Sequence, residues 1–107
     1  MLKIVSNSEV ICIASMRVRK ENLAQVLAIF QTLKSASAQE PDCLRYELHQ
    51  DIDDPEVFTF IEYYRDMAAF DFHCEQTYTK HYVDEVLPNL VEDFKYSLHH
   101  EVALVAE

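Results

Sequence analysis

The sequence predicts an α+β chain of ferredoxin-like order, βαββαβ, with a four-stranded antiparallel sheet carrying its helices on one face. Three observations lead there. Apolar residues recur at helical spacing over 20–40. Two aromatic and β-branched runs, 43–51 and 57–65, are joined by the short turn DIDDPE. Strand-like segments stand on either side, at 9–18 and 95–107.

The elements follow in order. EVICIASMRV (9–18) is β-branched and nearly continuously apolar to Ala14, which suggests a strand covered on both faces. In KENLAQVLAIFQTLKSASAQE (20–40), Leu23, Val26, Leu27, Phe30 and Leu33 form one apolar stripe. Pro41 ends that helix, because the residue before a proline resists helical dihedrals. CLRYELHQD alternates, with Leu44, Tyr46 and Leu48 on one face and Arg45, Glu47 and His49 on the other. VFTFIEYYR is its antiparallel partner across the turn. Asp66 is placed to cap a second helix opening with MAAF, with Met67, Phe70 and Cys74 on one side. Residues 77–94 continue helically, with Tyr78, Tyr82, Val86 and Leu90 in line and Pro88 kinking or splitting them. KYSLHHEVALVAE (95–107) closes the chain as one strand.

Composition narrows the function. At 107 residues, one domain covers the whole chain, residues 1–107. Its net charge of −10 repels phosphate backbones and anionic lipid, so neither nucleic acid nor membrane is expected as a partner. The N-terminus shows no secretory cleavage pattern, and Cys12, Cys43 and Cys74 are widely spaced. A reducing cytoplasm with free thiols is the expectation. Glycine is absent, which excludes glycine-rich phosphate loops and dinucleotide fingerprints. No HxH, HExxH or clustered Cys/His spacing points to a metal; His99 and His100, adjacent on a strand, point to opposite faces.

The strands are apolar on both sides: Ile11 and Ile13 oppose Val10, Cys12 and Ala14; Val57 and Ile61 oppose Phe58 and Phe60; Ala103 and Val105 oppose Val102 and Leu104. Helices cover one face. A second copy's sheet is the simplest cover for the other, so a homodimer is expected.

The candidate site is IEYYRDMAAFDFH (61–73). Glu62 and Tyr64, two apart, share a strand face with Phe58 and Phe60. Burial there would raise the carboxyl's pKa and make it a proton donor or acceptor near neutrality. The competing reading pairs Glu62 with Arg45 or Arg65 across strands. Tyr46, Tyr64 and Tyr78, with Phe60, suit a pocket for a flat, partly polar molecule, whereas Tyr63 and Tyr82 suit core and rim.

Over CLRYELHQDIDDPEVFTFIEYYRDMAAFDFH the sequence resembles the antibiotic biosynthesis monooxygenase family. The carriers are the "LRYEL…DDP…F" hairpin, the strand-end Glu62 two before an aromatic, and "D-x-A-A-F-x-x-H", followed by a tyrosine-bearing helix and "LPNL". The resemblance spans about residues 9–105. It implies a dimeric α+β barrel with a cavity between each sheet and its helices. It further implies oxygenation of a small phenol, quinol or enol by O2 with no metal, flavin or haem cofactor. His73 would be the proton acceptor, with Glu62 and Tyr64 orienting substrate or imidazole; the plainer alternative makes His73 a boundary histidine. The family also holds haem degraders and isomerases of a phosphorylated signal molecule. Tyr64 is similar to those isomerases, whose first-helix histidine is replaced here by about Lys34. A non-catalytic dimeric binding protein is a further alternative on the same frame.

Overall fold

A computed structural model describes all 107 residues. Its main sheet contains β2 (Val10–Arg17), β3 (Cys43–Gln50), β4 (Val57–Tyr64) and β5 (Glu92–His99), antiparallel throughout in the order β3-β4-β2-β5. The predicted hairpin forms: the Asp51 carboxylate accepts from the backbone N–H groups of Asp53 and Asp54, closing the turn ahead of Pro55. Arg17 ties that turn to β2 through Asp54 at 2.8 Å and Glu56 at 3.1 Å.

Register sets two rows across the helix-facing side. One aligns Tyr46, Glu62, Cys12 and Leu98; the next aligns Leu48, Phe60, Ala14 and Tyr96. One carboxyl, Glu62, thus stands in a layer of apolar and aromatic side chains.

Helix α1 (Leu23–Ala38) follows a 3-10 turn at Lys20–Asn22 and buries Val26, Phe30 and Leu33 on the sheet. Phe30 is the keystone, edge-on to Phe58 at 5.8 Å and Phe60 at 4.9 Å. Leu27, predicted to join this stripe, is 41% exposed: the contact face is narrower than the apolar arc. Helix α2 (Met67–Glu75) is capped as expected, Asp66 accepting from the Ala69 N–H at 2.9 Å. Its buried face is Ala69, Phe70 and His73, not Met67 and Cys74. The small Ala69 admits a close approach, and Phe70 then packs edge-on against Tyr64 at 5.5 Å.

Pro88 splits the next segment into α3 (Thr77–His81), a π turn (Tyr82–Val86) and α4 (Leu87–Leu90). A proline crowds the carbonyl four residues before it. Widening the preceding turn, with Leu87 N–H donating to Tyr82 C=O, relieves that crowding. The helical segment stops at Leu90 rather than 94. Val91 is extended, and Asp93 takes a left-handed φ of 55° as the chain enters β5.

The ends of the chain depart most from expectation. The strand predicted over 95–107 is two strands broken at His100–Glu101. The first belongs to the sheet; the second, β6 (Val102–Ala106), leaves it and pairs antiparallel with β1 (Leu2–Ser6), which was not foreseen. His100 Nδ1 lies 2.7 Å from the Glu9 carbonyl and pins the two strand changes together. All ten residues of this ribbon are exposed, including Ile4 (71%) and Leu104 (65%). Val102–Val105 therefore do not form the fourth strand of the sheet. Its outer face carries Ile11, Ile13, Val57, Ile61 and Tyr63, partly exposed. No helix is long and apolar enough to cross a membrane.

Candidate active site

A cavity of about 330 Å³ lies between the helix-facing sheet rows and α2, α3, the π turn and α4. That is at the small end of ligand pockets. Ala14, Phe60, Phe70 and Leu87 supply apolar wall; Glu62 and His73 supply titratable groups. Lys80, Val83 and Asp84 stand on the helical side, Phe94 and Tyr96 on β5. Phe94 (38% exposed) and Tyr96 (58%) mark the side where no helix covers the sheet. The π turn contributes Tyr82, Val83 and Asp84, so the distortion that accommodates Pro88 also shapes the wall.

His73 is 5% exposed and sits between two carboxylates. Its Nδ1 lies 2.9 Å from Glu40 Oε2; its Nε2 lies 3.7 Å from Glu62 Oε1, too long for a hydrogen bond. Tyr64 O–H donates to Glu62 Oε1 at 2.6 Å, and Tyr78 O–H donates to Glu40 Oε2. The rings of Tyr46, Tyr64, Phe70 and Tyr78 surround the imidazole, with centroids 5.3 to 6.4 Å away.

Four of the six sequence-predicted residues line the cavity: His73, Glu62, Tyr46 and Phe60. The other two stand behind it. Tyr64, with no exposed surface, holds Glu62, and Tyr78, expected among substrate contacts, holds Glu40. The alternative ion pairs for Glu62 do not form: Arg45 pairs with Glu47, and Arg65 with Asp42 at 2.8 Å. Glu40 was missed. Its one signal was a carboxylate at the C-terminal end of a helix, where negative charge is disfavoured, directly before Pro41.

Burial pushes the Glu62 carboxyl above its ordinary pKa, outweighing the Tyr64 hydrogen bond and the His73 ring that act the other way. Burial and then the Glu62 charge raise the Tyr46 and Tyr64 phenols, which stay neutral donors. The cysteines are all free, and burial, the largest cause, raises the Cys12 thiol beside the cavity. No three His, Cys, Asp or Glu side chains converge as metal ligands would.

A raised carboxyl has a stability signature. Over the pH range where unfolded Glu has ionised and folded Glu62 has not, the folded chain holds the extra proton. The group's contribution is therefore intact below the ordinary value of about 4.3 and declines as pH climbs toward the folded value, by about 1.4 kcal/mol per unit of elevation. Glu62→Gln keeps an acceptor for Tyr64 and removes this titration. Urea unfolding of the variant should gain on the native protein from about pH 4 upward. A difference independent of pH would mean that Glu62 ionises without penalty.

The fold and cavity define an α+β protein of the ferredoxin-like class whose helix layer roofs a pocket of small-molecule size. The chain belongs to the antibiotic biosynthesis monooxygenase family, which matches residues 9–85. Protein SO0527 from Shewanella oneidensis is 34% identical with a TM-score of 0.85, over 99% of this chain and 100% of that one. A crystal structure of an antibiotic biosynthesis monooxygenase is 32% identical with a TM-score of 0.80, over 88% of this chain and 99% of that one. The uncharacterized protein sll1783 from Synechocystis is 25% identical over 80 residues; those are 75% of this chain and 54% of the relative, so the chain spans about half of its length.

Proposed function

We propose that the chain is a cofactor-independent monooxygenase of a small phenol, quinol or enol, working as a homodimer in the cytoplasm. The observation that carries this reading is His73, held between two buried carboxylates with one ring nitrogen turned toward an apolar cavity. The site is suited to taking a proton from an aromatic substrate away from water. Removal of that proton leaves an electron-rich anion able to reduce O2. For a phenol reacting through its keto tautomer the sum is CH2 + O2 → C=O + H2O: one oxygen atom enters the ring, the other leaves as water, and all four electrons come from the substrate. Phe60 and Tyr46 would hold the ring, and Glu62, steadied by Tyr64, would orient its hydroxyl.

A phosphorylated substrate fits less well. Lys80 is the one Lys or Arg lining the cavity, and Glu62 and Asp84 line it too. The dimer reading is supported by the partly exposed Ile13 and Ile61 of the outer face and by the bare apolar ribbon of β1 and β6. Oxygen uptake with a panel of naphthohydroquinones and anthrones, on material whose mass is fixed by sedimentation, tests both. Saturable uptake by a species of twice the chain mass is expected. Saturable binding without uptake would favour a non-catalytic binding protein, and a well-folded monomer at micromolar concentration would remove the barrel.

A further inference from the structure

We propose that Glu40 is a positioning residue for His73: it accepts the imidazole's Nδ1–H and so leaves the Nε2 lone pair facing Glu62 and the cavity. The inference rests on the reading of His73 as a proton acceptor and adds to it the group that keeps that acceptor competent.

The geometry is specific. Glu40 is 7% exposed, and its Oε2 lies 2.9 Å from His73 Nδ1. The same oxygen accepts from Tyr78 O–H, while Oε1 is buried with no partner. An ionised carboxylate has no proton to give, so a hydrogen bond at Nδ1 puts the imidazole proton on Nδ1. In the neutral ring Nε2 is then the bare nitrogen. Glu62, at 3.7 Å, does not occupy it with a hydrogen bond.

The local backbone aims the side chain. α1 ends at Ala38 with Gln39 as its cap, and Pro41 keeps Glu40 from continuing the helix. Glu40 N–H donates to Ser37 C=O at 3.1 Å, and Cys43 N–H donates to Glu40 C=O at 3.3 Å. Both sides of the residue are thereby fixed, and its carboxylate turns under α2 rather than into solvent.

A purely structural role accounts poorly for these features. A buried carboxylate with one oxygen unpaired, at the negative end of a helix, is costly. Tyr78 O–H and His73 N–H offset part of that cost. An apolar residue would close the helix end with less. The arrangement instead resembles the orienting carboxylate of a catalytic triad, which sets the tautomer of a histidine and steadies the imidazolium once a proton arrives.

Nitrogen-15 NMR of the neutral imidazole reads the tautomer without any substrate. The native protein should carry the proton on Nδ1. In Glu40→Leu, which has no acceptor, it should move to Nε2, and turnover should fall roughly 10²-fold or more, within the range of a lost general base. In Glu40→Gln the amide carbonyl can still accept, so the tautomer stays while the Nδ1 resonance shifts, because a carboxylate has become a neutral amide. Combining Glu40→Leu with His73→Gln should slow turnover no further than His73→Gln alone. A native protein protonated at Nε2 overturns the proposal, as does Glu40→Leu left at Nδ1. Should Glu40→Leu not fold, an unmoved Nδ1 resonance in Glu40→Gln overturns it. A confirmed tautomer with no turnover of any quinol removes the oxygenase reading and leaves the Glu40–His73 assignment standing.

Discussion

Oxygen uptake by the His73→Gln variant is expected to fall by about 10²- to 10⁴-fold against the native protein, the range attached to a positioned acid–base group. Glutamine is preferred to alanine because His73 is buried between Glu40 and Glu62. Alanine would leave the Glu40 carboxylate without its ring partner, and an uncompensated buried charge costs several kcal/mol. The glutamine amide keeps an N–H for Glu40 and cannot take a proton at neutral pH. Turnover should therefore collapse while the melting curve and sedimentation mass stay near native. If uptake is unchanged in a folded His73→Gln, the proton acceptor lies elsewhere, and Glu62, which also lines the cavity, becomes the first group to test.

The largest stability effect is expected at Phe30→Ala. Phe30 is 1% exposed and meets Phe58, Phe60 and Tyr82 with centroid distances of 5.8, 4.9 and 6.5 Å. Removing a buried phenylalanine ring costs about 3–5 kcal/mol, from lost transfer energy and the cavity left behind. A domain of this size holds roughly 5–15 kcal/mol in all, so the variant should lose a large share of its stability. Each kcal/mol moves the midpoint by about 4–8 °C in a domain of about this length. Leu27→Ala on the same predicted stripe is the control. It is 41% exposed and should cost under about 1.5 kcal/mol, less than a buried leucine side chain contributes. Equal losses at the two positions, measured by urea unfolding, would mean that α1 packs on a different face.

Much of the candidate site's layout was legible because local periodicity carries it. The two-residue repeat of Phe58, Phe60, Glu62 and Tyr64 put one carboxylate among aromatics, and the structure keeps all four buried on one face. The step from Asp66 to His73 lies within one capped helix, whose spacing is set by the chain. Glu40 was not legible. It meets His73 from 33 residues away, and its one local signal, a carboxylate at a helix end before a proline, does not name a partner. The role of Tyr78 was missed for the same reason, since its place in a tyrosine-rich helix suggested a ligand contact and its partner is Glu40.

The ends of the chain show the same division. Over 95–107 the alternation runs on through His99 and His100, so periodicity alone reads one strand. Where that strand stops depends on its neighbours: β2 accepts β5 only as far as the Ile11–His99 pair, and β6 then meets β1, almost the whole chain length away. The amino-acid sequence by itself determined the alternating faces of β2 and β4, the hairpin turn, the helix cap and the proline break, because each depends on residues within a few positions of one another. Only the tertiary structure decided which carboxylate faces His73, which side of α2 is buried and where the last strand leaves the sheet. Those outcomes depend on contacts between distant segments, whose energies no single segment contains.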